Sequence, residues 1–402
     1  MILILWLISW TVFSQENIKI VGRIVDKDTG EPLAYAHIGI IGKAIGTISN
    51  LNGEFEFNIP SQTGDSLFVS HIGYETLKLS ITVARTSEVI YLKVGTTLLG
   101  DLVVTPDELT AKQIVEKAIE NIPENYPVAP VLMEGFYRDW HLSEMTDIEG
   151  KIASLTEAAV NIYDKGYGET KRASEKVYLL EVRHVHGGSW NTLQRLLMQN
   201  FVKYNHAMGN FDMIPGVLDF PSDFHFEIEK LFVENEESLY VIKASAPGNQ
   251  LVYRLFIDQS NYAIVRIDLT GNSTSELPLY TNKKFSNWRP TSIDNTLRFN
   301  KYAGKYFLGY MRSHWKTEMI DLETNKVARR EEFHNELLIN NLTTDETEVE
   351  EKKKKNSGKV MRGGKPLDKQ AGTYNEEFWD NYNIVKDNPI EKELLELLKE
   401  NN

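Results

Sequence analysis

The chain has 402 residues, 42% of them hydrophobic and 25% charged, which is enough length for two or three cores. Its formal net charge of −13 argues against a general nucleic-acid binder, which needs a basic stripe to displace counterions. It has no cysteine, which excludes disulfides, thiolate metal sites, a cysteine nucleophile and an acylated lipobox cysteine.

The opening stretch MILILWLISWTVFS is nearly all apolar. At ~1.5 Å rise per residue it is short for a hydrocarbon core of ~30 Å. It resembles the apolar region of a secretory signal, with Ser14 before Gln15 as the cleavage point. No Lys or Arg precedes it, so an uncleaved anchor is the competing reading. The expectation is a signal peptide over 1–14 and an exported protein, periplasmic or associated with the outer membrane. No later segment approaches ~18 consecutive apolar residues, so no second span is expected.

Residues 17–95 alternate in short runs with turn punctuation. IKIVGRIV places Ile18, Ile20, Gly22 and Ile24 on one face. DKDTGEP is a turn, in which Asp28 and Thr29 bond back to the backbone and Gly30 supplies positive φ. NLNGEFEFNIP predicts a hairpin, with Asn52-Gly53 at the turn and Phe55, Phe57 and Ile59 inward. The next stretch, 65–83, reads as two strands, the second carrying Leu77, Leu79, Ile81 and Val83 on one face. With SEVIYLKV last, the pattern predicts a seven-stranded Greek-key β-sandwich.

Three motifs stand in order here: G-x-I-V-D-x-x-T-G-E-P-L-x-x-A-x-I at 22–38, G-T-x-S-x-x-x-G-x-F-x-F-x-I-P at 46–60, and S-x-I-G-Y-E at 70–75. They resemble the carboxypeptidase regulatory-like domain, which is similar in fold to transthyretin. The resemblance implies a domain found at the front of TonB-dependent receptors and other envelope proteins of Gram-negative bacteria, with no catalytic residues of its own. The following YLKVGTTLLGDLVVTP resembles the link to a receptor plug. The remaining length is too short for a plug and barrel, so a transporter pore is not expected.

Residues 108–342 are expected to form an antiparallel-sheet domain with packed helices, giving a mainly β (α+β) protein. LTAKQIVEKAIENI predicts a helix over 109–122, with Thr110 and Gln113 at capping-box spacing and Pro123 and Pro127 as its stop. Two strands in a hairpin and a third, EKVYLLEVRHV, follow. A helix is predicted over 189–204, capped by Ser189. From 224 onward strands follow one another in a meander. Its segment 253–269 is similar to strand pairs in periplasmic lipoprotein-carrier folds, which have a curved, half-open sheet. Residues 343–373 lack periodicity and read as a disordered linker. Residues 374–402 read as a C-terminal helical segment, with an aromatic anchor FWDNYN and a closing helix over 388–400.

Three constellations could be chemical. His141 and Glu144 have the H-x-x-E spacing of zinc carboxypeptidases. His184 and His186 share a strand face, but two ligands make no site. The serines of GNSTSE and GGSW lack a nucleophile's surroundings. No phosphate loop or dinucleotide fingerprint is present. No catalytic, cofactor-binding or metal residue is therefore assigned, and no cofactor is expected.

The reading is a non-catalytic envelope protein for binding or scaffolding at the periplasmic side of the outer membrane. A metal-dependent peptidase with a cryptic site is the alternative. The partner expectation is an envelope protein or an apolar ligand on the middle-domain sheet. It rests on Phe226, Phe232, Tyr240, Tyr253, Phe256, Tyr306, Phe307, Tyr310 and Trp315, which put large side chains on both faces.

Overall fold

The computed structural model describes residues 17–60, 66–95, 97–98, 109–145, 151–166, 176–185, 217–218, 221–234, 237–246, 251–272, 288–321, 323–362, 367–370, 374–388 and 392. The expected signal peptide, the helix expected at 189–204 and nearly all of the helix expected at 388–400 lie outside these residues. The protein is mainly β.

The front of the chain forms two small sheets. β1 (Asn17–Asp26), β4 (Glu54–Pro60) and β7 (Val89–Leu92) make one, in the order β4-β1-β7. β2 (His37–Ile40), β3 (Gly46–Ile48), β5 (Ser66–Ser70) and β6 (Leu77–Ser80) make the other, in the order β3-β2-β5-β6. Ile20, Ile24, Phe55, Phe57 and Ile59 of the first sheet pack against Ile38, Ile40, Leu67 and Val69 of the second. Period-two alternation delivers each set to one face. Gly22 sits opposite Phe55, and a Cβ there would lie 2.9 Å from the Phe55 ring, so this close approach requires glycine. The 26–31 turn is held by Asp26, whose Oδ1 accepts from the Asp28 and Thr29 amides.

The second strand expected after Gly73 ends early. Residues Ile81–Thr86 form a helix, α1, capped by the Ser80 hydroxyl. Helical spacing buries Ile81 and Ala84 together and leaves Val83 51% exposed, so Ile81 and Val83 do not share a face.

Thr97–Leu98 (β8) carry the chain to the second body. Helix α2 (Ala111–Glu120) begins at the predicted capping box, with the Thr110 and Gln113 side chains each bonded to the other's backbone. It ends at Asn121. The single turn α3 (Ile122–Asn125) then starts with Pro123 in its first turn, so this proline opens a helical turn after the break.

Ten further strands complete one antiparallel sheet. They are β9 (Val131–Met145), β10 (Lys151–Asp164), β11 (Lys176–Val185), β12 (His225–Glu234) and β13 (Glu237–Ser245), followed by β14 (Val252–Asp258), β15 (Ile264–Asn272), β16 (Trp288–Tyr302), β17 (Lys305–Ile320) and β18 (Val327–Thr343). The order is β11-β10-β9-β18-β17-β16-β15-β14-β13-β12-β8, so the last strand returns to pair with β9 and joins the hairpin to the meander.

The two faces of this sheet have different covers. On the inner face, Ile114, Val115 and Ala118 of α2 share a core with Met133, Tyr137, Ala158, Met311 and Leu337. On the outer face, Phe136, Ala159, Tyr310 and Leu338 meet Ile48 of the sandwich and Trp379, Tyr382 and Val385 of the C-terminal segment.

The segment expected to be a disordered linker instead begins with a helix, α4 (Glu346–Lys355). Asp345 caps it, Glu346 and Glu348 occupy the first turn, and the lysine run occupies the last, so the charges complement the helix dipole. Its single apolar contact is Val349, packed with Leu132, Tyr163 and Tyr178. After it, α5 (Glu376–Asn381) and the extended residues 382–388 run between sandwich and sheet as a strap.

Candidate binding site

The sandwich and the sheet meet around Tyr35. This residue has a φ of 59°, a conformation that costs a non-glycine residue free energy unless its surroundings hold it. Here they do. Arg298 donates to its backbone carbonyl at 2.9 Å, its ring stacks on Tyr310 with centroids 5.6 Å apart, and the Arg312 guanidinium lies 4.8 Å over the ring.

Beside Tyr35, His37 is buried at the foot of β2. Its ring meets the edge of Phe68 at 5.1 Å, and its Nε2 lies 3.2 Å from the Asn300 amide nitrogen. An amide nitrogen only donates, so Nε2 accepts and the ring is neutral, with its proton on Nδ1. Burial, with the Arg298 charge adding to it, pulls the His37 pKa down to about 3. Two glycines permit the approach. A Cβ at Gly46 would lie 2.7 Å from His37 Nε2, and one at Gly309 would lie 2.1 Å from Asn300 Nδ2.

A cleft of about 590 Å³ opens along this junction. The β2–β3 turn and β5 wall it on the sandwich side, and the β16–β17 hairpin walls it on the sheet side. Lys43, Arg298 and Lys301 are among the described residues that line it. Its volume falls within the ~300–1,000 Å³ of small-molecule sites.

The outer face also holds a buried charge cluster. Arg138 is fully buried and donates to Glu157 at 2.6 Å, Glu336 at 3.3 Å, Asp387 at 2.7 Å and the Val385 carbonyl at 3.0 Å. Arg183 also bonds Glu157. Burial raises the Glu157 carboxyl, but the Arg138 and Arg183 charges outweigh it and the net pKa is lowered.

The sequence-derived candidates fall elsewhere. His141 and Glu144 are three residues apart on one strand, so they point to opposite faces and do not converge on a metal. His141 Nε2 instead lies 2.8 Å from Glu331 Oε2, and its ring stacks on Phe333. Glu331 is flanked in the neighbouring strands by Ser143 and Thr317, both buried, in a polar row on the inner face. Among the described residues no group of three His, Asp or Glu could hold a metal ion. His184 lies in β11, whereas His186 is outside the described residues, as are GGSW and most of GNSTSE.

Of the nine aromatics, Tyr253, Phe256, Tyr306, Phe307 and Tyr310 are buried, and Phe226, Tyr240 and Trp315 are half-buried. The chain's own segments pack against much of that surface. Tyr306 and Phe307 also line the cleft, which moves the candidate site from the open sheet to its margin with the sandwich. Sequence reading missed this cleft because its walls are more than 200 residues apart. The signal it could have used is the concentration of Lys and Arg around 298–301.

Residues 20–104 match the family model of the CarboxypepD_reg-like domain, and this part of the chain is such a domain. No curated protein matches the chain. Among solved structures it is similar to a LolA superfamily protein from Nitrosomonas europaea, at 13% identity over 58% of this chain and 94% of that one, with a TM-score of 0.21. It is also similar to an outer membrane lipoprotein-sorting protein domain from Vibrio parahaemolyticus, at 10% identity over 60% and 98%, with a TM-score of 0.23. A membrane-associated protein of unknown function from Bacteroides fragilis matches at 11% identity over 82% and 99%, with a TM-score of 0.15. These likenesses are too distant to speak to function.

Proposed function

We propose that the chain is a non-catalytic binding or scaffolding protein of the cell envelope, acting on the periplasmic side of the outer membrane. One observation carries this reading: the interdomain cleft of about 590 Å³, formed where the CarboxypepD_reg-like domain is fixed against the large sheet. Tyr35, His37 and Asn300 hold the two walls in register. A preformed opening of this kind needs no chemistry of its own to take a ligand. The apolar start of the sequence supports export.

The test has two parts. Cell fractionation with N-terminal sequencing is expected to find the protein in the envelope, beginning near Gln15. Titration of the purified protein with a fluorescent hydrophobic probe is expected to show saturable binding. An intact N-terminus on soluble cytoplasmic protein, together with no probe binding, would sink the reading.

A further inference from the structure

We infer that the chain docks on anionic lipid headgroups through a basic patch at the β11 edge of the large sheet. The inference rests on the envelope reading above for the presence of such a surface, and it uses nothing of the cleft.

Two separate segments build the patch. Residues 352–362 read KKKKNSGKVMR, with six cations and no acidic residue, in a chain of net charge −13. The fold adds a seventh cation from another strand. Lys353 lies 4.3 Å over the ring of Tyr163, and Tyr163 is the register partner of Lys176 at the start of β11. Beyond α4 the chain returns along that strand, where Val360 pairs antiparallel with Tyr178 and the Met361 amide donates to the Val177 carbonyl. Continuing the count places Arg362 opposite Lys176.

Internal ion pairs do not use up this charge. Lys352 and Lys353 pair with Glu348 and Glu350 of the same helix. Lys176, Lys354, Lys355 and Arg362 are exposed, and among the described residues none of them has a carboxylate within ion-pair distance. The helix dipole accounts for basic residues in the last turn only. Lys176, Lys359 and Arg362 lie beyond that turn, so the dipole does not explain why they gather with the lysine run.

The chemistry of the patch favours a lipid surface over a nucleic acid or a folded acidic partner. Six of the seven cations are lysines, which are flexible point charges. They suit a diffuse layer of charge, whereas an arginine fork reads a fixed geometry. A cluster of about 4–8 such cations is drawn to an anionic bilayer, each contributing about fivefold in affinity. Val360 stands among them 44% exposed. An apolar side chain ringed by cations fits the boundary between headgroups and acyl chains, and a phosphate backbone would leave it in water.

The experiment is co-sedimentation of the full chain with two kinds of vesicle. One is phosphatidylglycerol with phosphatidylethanolamine, and the other is phosphatidylcholine with phosphatidylethanolamine. The readout is the ratio of binding to the two, which cancels any contribution of the apolar N-terminus. Binding is expected to favour the anionic vesicles at low salt and to lose that preference at high salt, where exposed charges are screened. Lys354→Gln/Lys355→Gln/Arg362→Gln is expected to keep its melting temperature and lose at least about tenfold in affinity for the anionic vesicles. Lys27→Gln/Lys78→Gln/Arg85→Gln makes the same change of net charge at exposed positions of the sandwich and is expected to bind as wild type does. Equal binding of the wild-type chain to both vesicles, an unchanged affinity in the first variant, or equal losses in the two variants would overturn the inference. Binding to double-stranded DNA without a preference for the anionic vesicles would also overturn it and assign the patch to nucleic acid. The probe titration of the cleft is a separate measurement, so each of these failures leaves the binding reading standing.

Discussion

Arg138 and Asp387 meet at 2.7 Å, although 249 residues of sequence separate them. The contact ties β9, the third strand from one edge of the large sheet, to the C-terminal strap. Arg138 lies on the outer face of β9, fully buried, between Glu157 of β10 and Glu336 of β18. The planar guanidinium serves Glu157, Glu336, Asp387 and the Val385 carbonyl together, more acceptors than the donors of a lysine ammonium could reach. The strap contributes Asp387 and the Val385 carbonyl as the remaining partners.

Removing this cation takes the shared counter-charge from two buried carboxylates and leaves Glu157 only Arg183 and Glu336 chiefly the Tyr310 hydroxyl. Arg138→Met is expected to destabilise the protein by ~3–5 kcal/mol, the cost of breaking a buried ion pair from one side. Urea unfolding measures it. A triple variant that also replaces Glu157 and Glu336 with Leu is expected to recover much of the loss, since the uncompensated charges are gone. A single variant as stable as wild type would contradict the buried cluster.

The strap's second anchor is Asn383. Its Oδ1 accepts from the Asn58 amide at 2.7 Å, and its Nδ2 donates to the Asn58 carbonyl at 2.9 Å. The side chain thus makes both bonds that a paired strand would make to the edge of β4. Asn383→Ala is expected to cost ~1–3 kcal/mol, because the Asn58 backbone groups lose these partners. Hydrogen exchange at the Asn58 amide is the direct readout, and it is expected to accelerate. Unchanged exchange there would mean the strap does not seal this edge.

How much of this was legible in the sequence follows from the range of the interactions. The sandwich core could be read because Phe55, Phe57 and Ile59 alternate within one short strand, and the cap of α2 because Thr110 and Gln113 stand three apart. α4 was missed because its stability comes from end charges and one buried valine, which leave no apolar stripe. α1 was missed because Leu77 to Val83 alternate as a strand would. The cleft, the Arg138 cluster and the strap join residues hundreds of positions apart, and no local period records them.

Phe57 tests the autonomy of the sandwich. It is fully buried among residues of the two front sheets. Phe57→Ala is expected to cost ~3–5 kcal/mol, against the ~5–15 kcal/mol that holds a typical domain. Calorimetry is expected to show a front-domain transition moved to lower temperature while the transition of the large sheet persists. A single shared transition moving as a whole would mean that the strap and the Tyr35 contacts make one cooperative unit.

The last prediction concerns acid and the junction between the two bodies. His37 is buried and neutral, and burial together with the Arg298 charge lowers its pKa to about 3. His71 is lowered to about 4 by burial and by the Arg298 and Arg266 charges. The groups facing His37 are Phe68, Asn300, Gly46 and Arg298, none of which welcomes a second positive charge. In the unfolded chain both rings titrate near the ordinary ~6.5. Between that value and their folded values the unfolded state therefore binds more protons than the folded one. The stability from each neutral histidine is fully present above pH ~6.5 and declines as the pH falls toward its folded pKa. The slope is up to ~1.4 kcal/mol per pH unit for each proton. His37→Gln keeps an acceptor for Asn300 and does not titrate, so its stability profile is expected to be flatter than wild type between pH ~6.5 and ~4 by one proton's slope, with His71 still contributing its own. Urea unfolding of both proteins at pH 7, 5.5 and 4.5 measures the difference. Parallel profiles, or a native His37 resonance that titrates near pH 6.5, would show that protonation at this junction is not resisted by the fold.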